Sequence, residues 1–372
     1  MEKIKVTAEE ISIGHALPWP VYDCHQRLLL NKGEIIASEH QLDILIEEGL
    51  YRENTPPSQT AQESSISNSL NPFEAVNEIA DRLNHIFFSI ANKKPNCEIK
   101  LNELSLDIQQ LCEWDANAAL GAVHLCHNTP YTVWHPLHVS MLTELITKRM
   151  GYSSESRLPV LNAALTCNIA MLELQETLYR QGKPLGDDQK KAIQQHCQHG
   201  VGMLRDADID HELWLDIVFQ HHEKIDGSGY PVGLEGNAIK IESRIISLAD
   251  RYSAMVSPRG YREEMTAQNA LSSLFINKGK EYDEKLSVIF IKELGVYPPG
   301  AFVRLVNDEI AIVIKRGQES TAPTVCSLVN PNGEIYARPI RRDSGREAYA
   351  IKEPCARIKT TSLNLPMLWG YT

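Results

Sequence analysis

Five imidazoles and one carboxylate stand along this chain where they could hold cations. His135 and His138 lie in Tyr131-Thr132-Val133-Trp134-His135-Pro136-Leu137-His138-Val139, His196 opens His196-Cys197-Gln198-His199-Gly200, and His221 adjoins His222. Asp250 lies in Ile246-Ser247-Leu248-Ala249-Asp250-Arg251-Tyr252. Taken singly, each histidine near a helix end reads first as an ordinary satisfied polar residue. An aspartate inside an apolar helix is odder, because burial without a partner is expensive. The longest coherent stretch is His221-His222-Glu223-Lys224-Ile225-Asp226-Gly227-Ser228-Gly229-Tyr230-Pro231. Two histidines and an acid close a helical run there, and a turn rich in Gly, Asp and Pro follows. Gly accepts backbone angles other residues resist, and Pro fixes its own. The imidazoles are thus held at a rigid lip, facing outward to a metal or a phosphate.

These side chains need elements to carry them. From Asn71 to about residue 295 the hydrophobic pattern is helical. Asn71-Pro72-Phe73-Glu74 reads as a helix start, with Asn as cap and Pro in the first turn. Val76, Ile79, Leu83, Ile86, Phe87 and Ile90 then recur at helical spacing as a packing stripe. Further helices are predicted near 101–112, 115–126, 134–150, 158–180, 188–205, 210–222, 241–256 and 266–275, which amounts to an all-α bundle. Residues 1–53 read as a small α+β module: strand signals at Ile4-Lys5-Val6 and Arg27-Leu28-Leu29-Leu30, a turn at Asn31-Lys32-Gly33, and a helix from Ser38 through Glu48. No metal or nucleophile pattern appears in it, which assigns it a structural or regulatory role. Residues 54–70, rich in Pro, Ser, Gln and Asn, read as a linker. Beyond residue 297 the composition turns β-rich, at Val303-Arg304-Leu305-Val306, Ile310-Ala311-Ile312-Val313-Ile314 and Thr324-Val325-Cys326-Ser327-Leu328-Val329, with turns at Asn307-Asp308 and Pro331-Asn332-Gly333. The expected domains are therefore 1–53, 54–70, 71–296 and 297–372.

Composition narrows the function classes. With 372 residues the chain suits two or three domains. Its net charge of −11 argues against a general nucleic-acid surface, which needs basic clusters to displace counterions. No apolar run has the length of a membrane span, and Met1-Glu2-Lys3-Ile4-Lys5 lacks the apolar region of a secretory signal. The eight cysteines are scattered without a CxxC pair, so they read as free thiols of a cytoplasmic protein.

The string from His221 to Pro231 resembles the signature of the HD-GYP family, bacterial phosphodiesterases of cyclic di-GMP. The resemblance covers roughly residues 70–300, and Tyr297-Pro298-Pro299-Gly300 fits the family's Tyr-Pro-x-Gly before a short β-rich tail. It implies a mainly α protein: an all-helical HD-type bundle, here with the small N-terminal module and the C-terminal tail. It also implies a two-metal hydrolysis, with dications about 3.5–4 Å apart and a hydroxide attacking phosphorus. By that resemblance His135 and Asp250 serve one metal, and His196, His221 and His222 the other. Asp226, Gly227, Gly229, Tyr230 and Pro231 would shape the ligand pocket. Arg259-Gly260-Tyr261-Arg262 resembles the family's Arg-x-Tyr segment, making Arg259 and Arg262 candidate phosphate contacts or else a solvated loop.

The name-giving His-Asp pair is missing. Where the family reads Leu-x-His-Asp-Ile-x-Lys, this chain reads Leu165-Thr166-Cys167-Asn168-Ile169-Ala170-Met171. Cys167 retains the capacity to bind a soft metal as thiolate. Asn168 is neutral and a poor bridge between two cations whose repulsion a shared carboxylate would offset. Met171 cannot donate to a phosphate. The expectation is a divalent metal (Fe, Mn or Zn), at most one and weakly held, or none. Three functional readings follow: a catalytically impaired member that senses cyclic di-GMP or docks a signalling protein, an active phosphodiesterase with an atypical metal site, or a scaffold that binds no nucleotide.

Overall fold

The computed structural model describes residues 3–5, 21–22, 28–30, 51–53, 69–127, 129–181, 183–258, 264–358 and 363–371. The chain divides into two compact units, Met1–Glu63 and Ser64–Thr372. In the first, strands β1 (Lys3–Lys5), β2 (Val21–Tyr22), β3 (Leu28–Leu30) and β4 (Tyr51–Glu53) form an antiparallel sheet in the order β1-β4-β2-β3. The turn at 31–33, the helix expected over 38–48 and residues 54–68 of the expected linker lie outside the described residues.

The second unit opens with α1 (Pro72–Ala91), capped as the sequence predicts: Asn71 Oδ1 accepts from the backbone N–H of Phe73 and Glu74. Its stripe from Val76 to Ile90 is buried, and each such side chain contributes about 1.5–3 kcal/mol. Helices α2 (Cys97–Trp114) and α3 (Ala116–Leu125) follow, the second capped by Asp115. Then come α4 (Tyr131–Arg149) and α5 (Ser154–Thr166). These two are tied by a buried ion pair, Arg157 donating to Glu144 at 2.9 Å.

The expected single helix over 158–180 is broken. It ends at Thr166, a 3₁₀ turn spans Ile169–Met171, and α6 (Leu172–Arg180) begins afresh. Thr166 Oγ1 bonds back to the Asn162 carbonyl and accepts from Trp214 Nε1, and Asn168 takes φ −103°, ψ 11°, outside the helix. Such polar side chains compete with the helical backbone. The break presents Cys167 and Asn168 at a corner instead of within a cylinder.

Helices α7 (Asp187–Asp206), α8 (Glu212–Gln220), α9 (Ile241–Val256), α10 (Ala267–Ile276) and α11 (Glu284–Leu294) complete the bundle. The last was not predicted, although Asp283 caps it and Leu286, Phe290 and Leu294 give it a buried face. The C-terminal sheet comprises β5 (Phe302–Leu305), β6 (Ile310–Lys315), β7 (Thr324–Val329), β8 (Ile335–Asp343) and β9 (Ile351–Pro354). It is antiparallel, in the order β8-β7-β6-β5-β9. The strands β8 and β9 extend the three that the sequence predicts. A short helix α12 (Leu365–Trp369) pins the tail to the bundle. Trp369 packs edge-on against Phe73, and the Tyr371 hydroxyl donates to Asp115 at 2.8 Å. Among the described residues no helix is long and apolar enough to cross a membrane.

Candidate functional site

Four elements converge at one end of the bundle. Helix α4 carries His135, α9 carries Asp250, α7 carries His196 with Cys197, and His221 and His222 follow the last turn of α8. The corner between α5 and α6 brings in Asn168 and Met171. A cavity of about 590 Å³ opens here, lined by His135, Asn168, Met171, His222, Tyr230 and Asp250 among the residues singled out from sequence. His196 and His221 lie behind it, fully buried. His138 sits in the core against His127 and Trp134 and does not line the cavity.

The loop after α8 owes its shape to two residues. A Cβ on Gly229 would lie 2.6 Å or less from the backbone of His222, Glu223 and Lys224, so no side chain fits. Buried Glu223 accepts from the backbone N–H of Val232, Gly233 and Leu234 at 2.8–3.1 Å. Together they fold the turn back on α8 and set the Tyr230 ring over His222, with centroids 4.8 Å apart. Of the loop residues named from sequence, Tyr230 alone lines the cavity. Asp226 is exposed, accepting from Ser228 N–H and Oγ–H, which hold its carboxyl below the usual range. Gly227 and Pro231 build the turn, and the Tyr230–Pro231 peptide is cis. Arg259 and Arg262 lie outside the described residues.

The donor set divides into two unlike halves. In the first, His135 and Asp250 are spent on each other. His135 Nε2–H donates to Asp250 Oδ1 at 2.9 Å, since a carboxylate can only accept, and His135 Nδ1 accepts from Ser253 Oγ at 3.1 Å. Burial alone would raise the Asp250 carboxyl. The His135 hydrogen bond, with the imidazoles around it, outweighs burial and holds the group well below the carboxylate range. Asn168, 3 % exposed, lines the same cavity with its neutral amide.

In the second half the lone pairs are free to converge. His196 Nδ1 lies 2.6 Å from the Ile193 carbonyl and His221 Nδ1 lies 2.8 Å from that of Val218. Carbonyls only accept, so both rings carry their proton on Nδ1 and leave Nε2 bare. Those two Nε2 atoms face each other at 3.3 Å. Two acceptors that close make no hydrogen bond; a cation between them satisfies both. Burial lowers the proton affinity of both rings and pushes His222 down to about 4, which keeps them in the neutral, ligating form. The close approach of α7 to α8 makes this possible: a Cβ on Gly200 would stand 3.3 Å from Val218 Cγ1. The His196 half therefore fits a metal in its present rotamers, whereas in the His135 half the two candidate ligands are hydrogen-bonded to each other.

Cys167 is fully buried, its Sγ turned to the Ala164 carbonyl of its own helix, and it is not in the ligand group. The group of potential ligands within 4.8 Å of one another, among the described residues, is His196, Cys197 and His221. Cys197, unremarked in the sequence, had only its place beside His196 to signal it. Two cations at the cavity edge, Lys183 and Arg251, also escaped sequence reading, though Arg251 directly follows Asp250. One wall is aromatic: Tyr131 stacks on His135 at 4.9 Å and on Tyr179 at 5.2 Å.

Compared with known proteins, residues 90–286 match the HD domain family. The chain is similar to the cyclic di-GMP phosphodiesterase PA4108 of Pseudomonas aeruginosa, 29% identical over 210 residues, covering 56% of this chain and 50% of that one. It is also similar to the 3'3'-cGAMP-specific phosphodiesterase 3 of Vibrio cholerae, 29% identical over 170 residues, 46% of this chain and 37% of that one. The chain thus spans half or less of the length of these relatives. Among solved structures, Bd1817, a HDG"Y"P protein from Bdellovibrio bacteriovorus, shares its fold with a TM-score of 0.52 at 13% identity, covering 78% of this chain and 99% of that one.

Proposed function

This chain belongs to the HD domain family, in its HD-GYP branch, and from that premise we propose that it binds a cyclic dinucleotide of the cyclic di-GMP type and hydrolyses it slowly or not at all. It would act as a nucleotide sensor or a docking module for a signalling protein. The single observation that carries this reading is Asn168: a buried neutral amide in the wall of the cavity that His135, Asp250 and His222 also line, where the family's pattern has a carboxylate. His196 and His221 would hold one divalent metal, with His222 beside them. When bound, such an ion would activate a water or polarise a phosphoryl oxygen only where a ligand position stays open.

The chain's own residues support binding better than they support turnover. Lys183 and Arg251 place positive charge at the rim, suited to phosphodiester oxygens. The Tyr179–Tyr131–His135 stack offers an aromatic face to a base. Met171, which lines the same cavity, contributes an apolar contact and no donor. Tyr230, held by the loop over His222, lines the cavity as well.

Calorimetry with cyclic di-GMP, alongside product chromatography in Mn²⁺ or Fe²⁺, tests the reading. Wild type is expected to bind without appreciable turnover. Arg251→Ala should weaken binding about tenfold, near the lower end for a hydrogen bond to a charged group. Turnover at ordinary enzyme rates of about 1–10³ s⁻¹, or no binding heat at all, would overturn it.

A further inference from the structure

We propose that His196, Cys197 and His221 together hold one zinc ion through two imidazoles and a thiolate, and that Cys197 turns this half-site away from Mn²⁺ and Fe²⁺. The inference deepens the reading of an impaired centre with at most one metal, and it rests on that same half-site. Three observations carry it. His196 Nε2 and His221 Nε2 stand 3.3 Å apart with both Nδ1–H groups committed to backbone carbonyls. Cys197 Sγ lies 3.6 Å from His196 Nε2 and 3.9 Å from His221 Nδ1. All three residues are at least 99% buried, and what faces the two Nε2 lone pairs is each other and the Cys197 thiol.

The His196 Nε2–His221 Nε2 and His196 Nε2–Cys197 Sγ separations agree with one tetrahedral ion, with His221 ligating through Nε2 because its Nδ1 is committed to Val218. Metal–nitrogen bonds of about 2.0–2.1 Å and a metal–sulfur bond of about 2.3 Å place two nitrogens about 3.3 Å apart, and nitrogen and sulfur about 3.6 Å apart. Thiolate favours zinc, whereas carboxylate and water suit Mn²⁺. A coordinating thiol is deprotonated by the ion, so loading releases the Cys197 proton to solvent and grows tighter as pH rises. The side chain next in reach is His222, whose ring centroid lies 4.1 Å from that of His221 and 5.1 Å from that of His196. A site with His222 as fourth ligand is closed, and closed sites are structural in character. Cys197 thereby accounts for why the surviving half would hold a metal without completing a hydrolytic centre.

The test needs no nucleotide and no turnover. Full-length protein stripped with chelator is titrated with Co²⁺, and the near-ultraviolet thiolate-to-cobalt charge-transfer band is read. The band should appear in wild type and in Cys167→Ser, and should be lost in Cys197→Ser. Competition should show Zn²⁺ binding at least about 100-fold tighter than Mn²⁺, in keeping with the ligand-softness order. X-ray absorption of the zinc-loaded wild type keeps the proposal testable if Cys197→Ser does not fold. It should resolve one sulfur at about 2.3 Å with nitrogens at about 2.0 Å. Absence of the band in wild type, its persistence in Cys197→Ser, its loss in Cys167→Ser, or an all-nitrogen and oxygen shell would each overturn it. Hydrolysis of cyclic di-GMP by a protein that shows the band would leave this site standing and reject the impaired-enzyme reading.

Discussion

The two halves of the centre differ in what supports them. His196 and His221 are oriented by backbone carbonyls of their own helices, so their Nε2 lone pairs are fixed by the fold itself. His135 is oriented by side chains, Ser253 on one nitrogen and Asp250 on the other. A backbone-oriented ring keeps its tautomer regardless of neighbouring substitutions. A side-chain-oriented ring depends on its partners, here Ser253 and Asp250. One half is thus oriented by the backbone, and the other is held by side chains that pair with each other.

The sharpest way to break this contrast is to restore the corner. The double variant Cys167→His with Asn168→Asp should raise cyclic di-GMP hydrolysis about 10³-fold or more over wild type, because one metal's Lewis-acid contribution is worth several kcal/mol. Product chromatography with Mn²⁺, Fe²⁺ and Zn²⁺ in turn measures it; equal rates with all three would mean that the corner is not what separates the halves.

Next in size is the metal itself. His221→Ala should weaken metal loading by more than about 100-fold, beyond the 10–100-fold typical of losing a ligand's supporting partner, whereas His135→Ala should change it less than about tenfold. Elemental analysis after gel filtration distinguishes them, and equal losses in both variants would erase the asymmetry.

The smallest effect concerns the helix under the first half. Tyr252 of α9, two residues from Asp250, donates its hydroxyl to His124 Nε2 at 2.8 Å. Burial pushes His124 from its ordinary 6.5 down to about 4. The unfolded chain therefore takes up this proton first as pH falls. The contribution of neutral His124 is fully present above about pH 6.5 and is lost progressively as pH drops toward 4. Between pH 7.5 and 5 this amounts to about 2 kcal/mol. Denaturant midpoints of wild type and His124→Gln, compared across that range, should converge as the pH falls. A gap that stays constant would locate the acid sensitivity elsewhere.

Much of the fold was legible in the residues. Asn71 and Pro72 announced α1, the 3.6-residue stripe announced its buried face, and β-branched runs announced β5, β6 and β7, because caps and periodicity are local properties. Helix α11 carried the same kind of signal in Asp283, Leu286 and Phe290 and went unread. The break after Thr166 was beyond such reading, since part of what breaks the helix is a bond from Trp214, far along the chain.

For the site, the chain alone named the histidines, Asp250 and the substituted pair, because residue type and order are written in it. It could not say which imidazole nitrogens are bare, for that depends on carbonyls and carboxylates brought close by packing. Nor could it separate Cys167, turned into its own helix, from Cys197, turned toward two rings. Chemistry was given by the side chains; direction was given by how α7, α8 and α9 pack, and a ligand is defined by both.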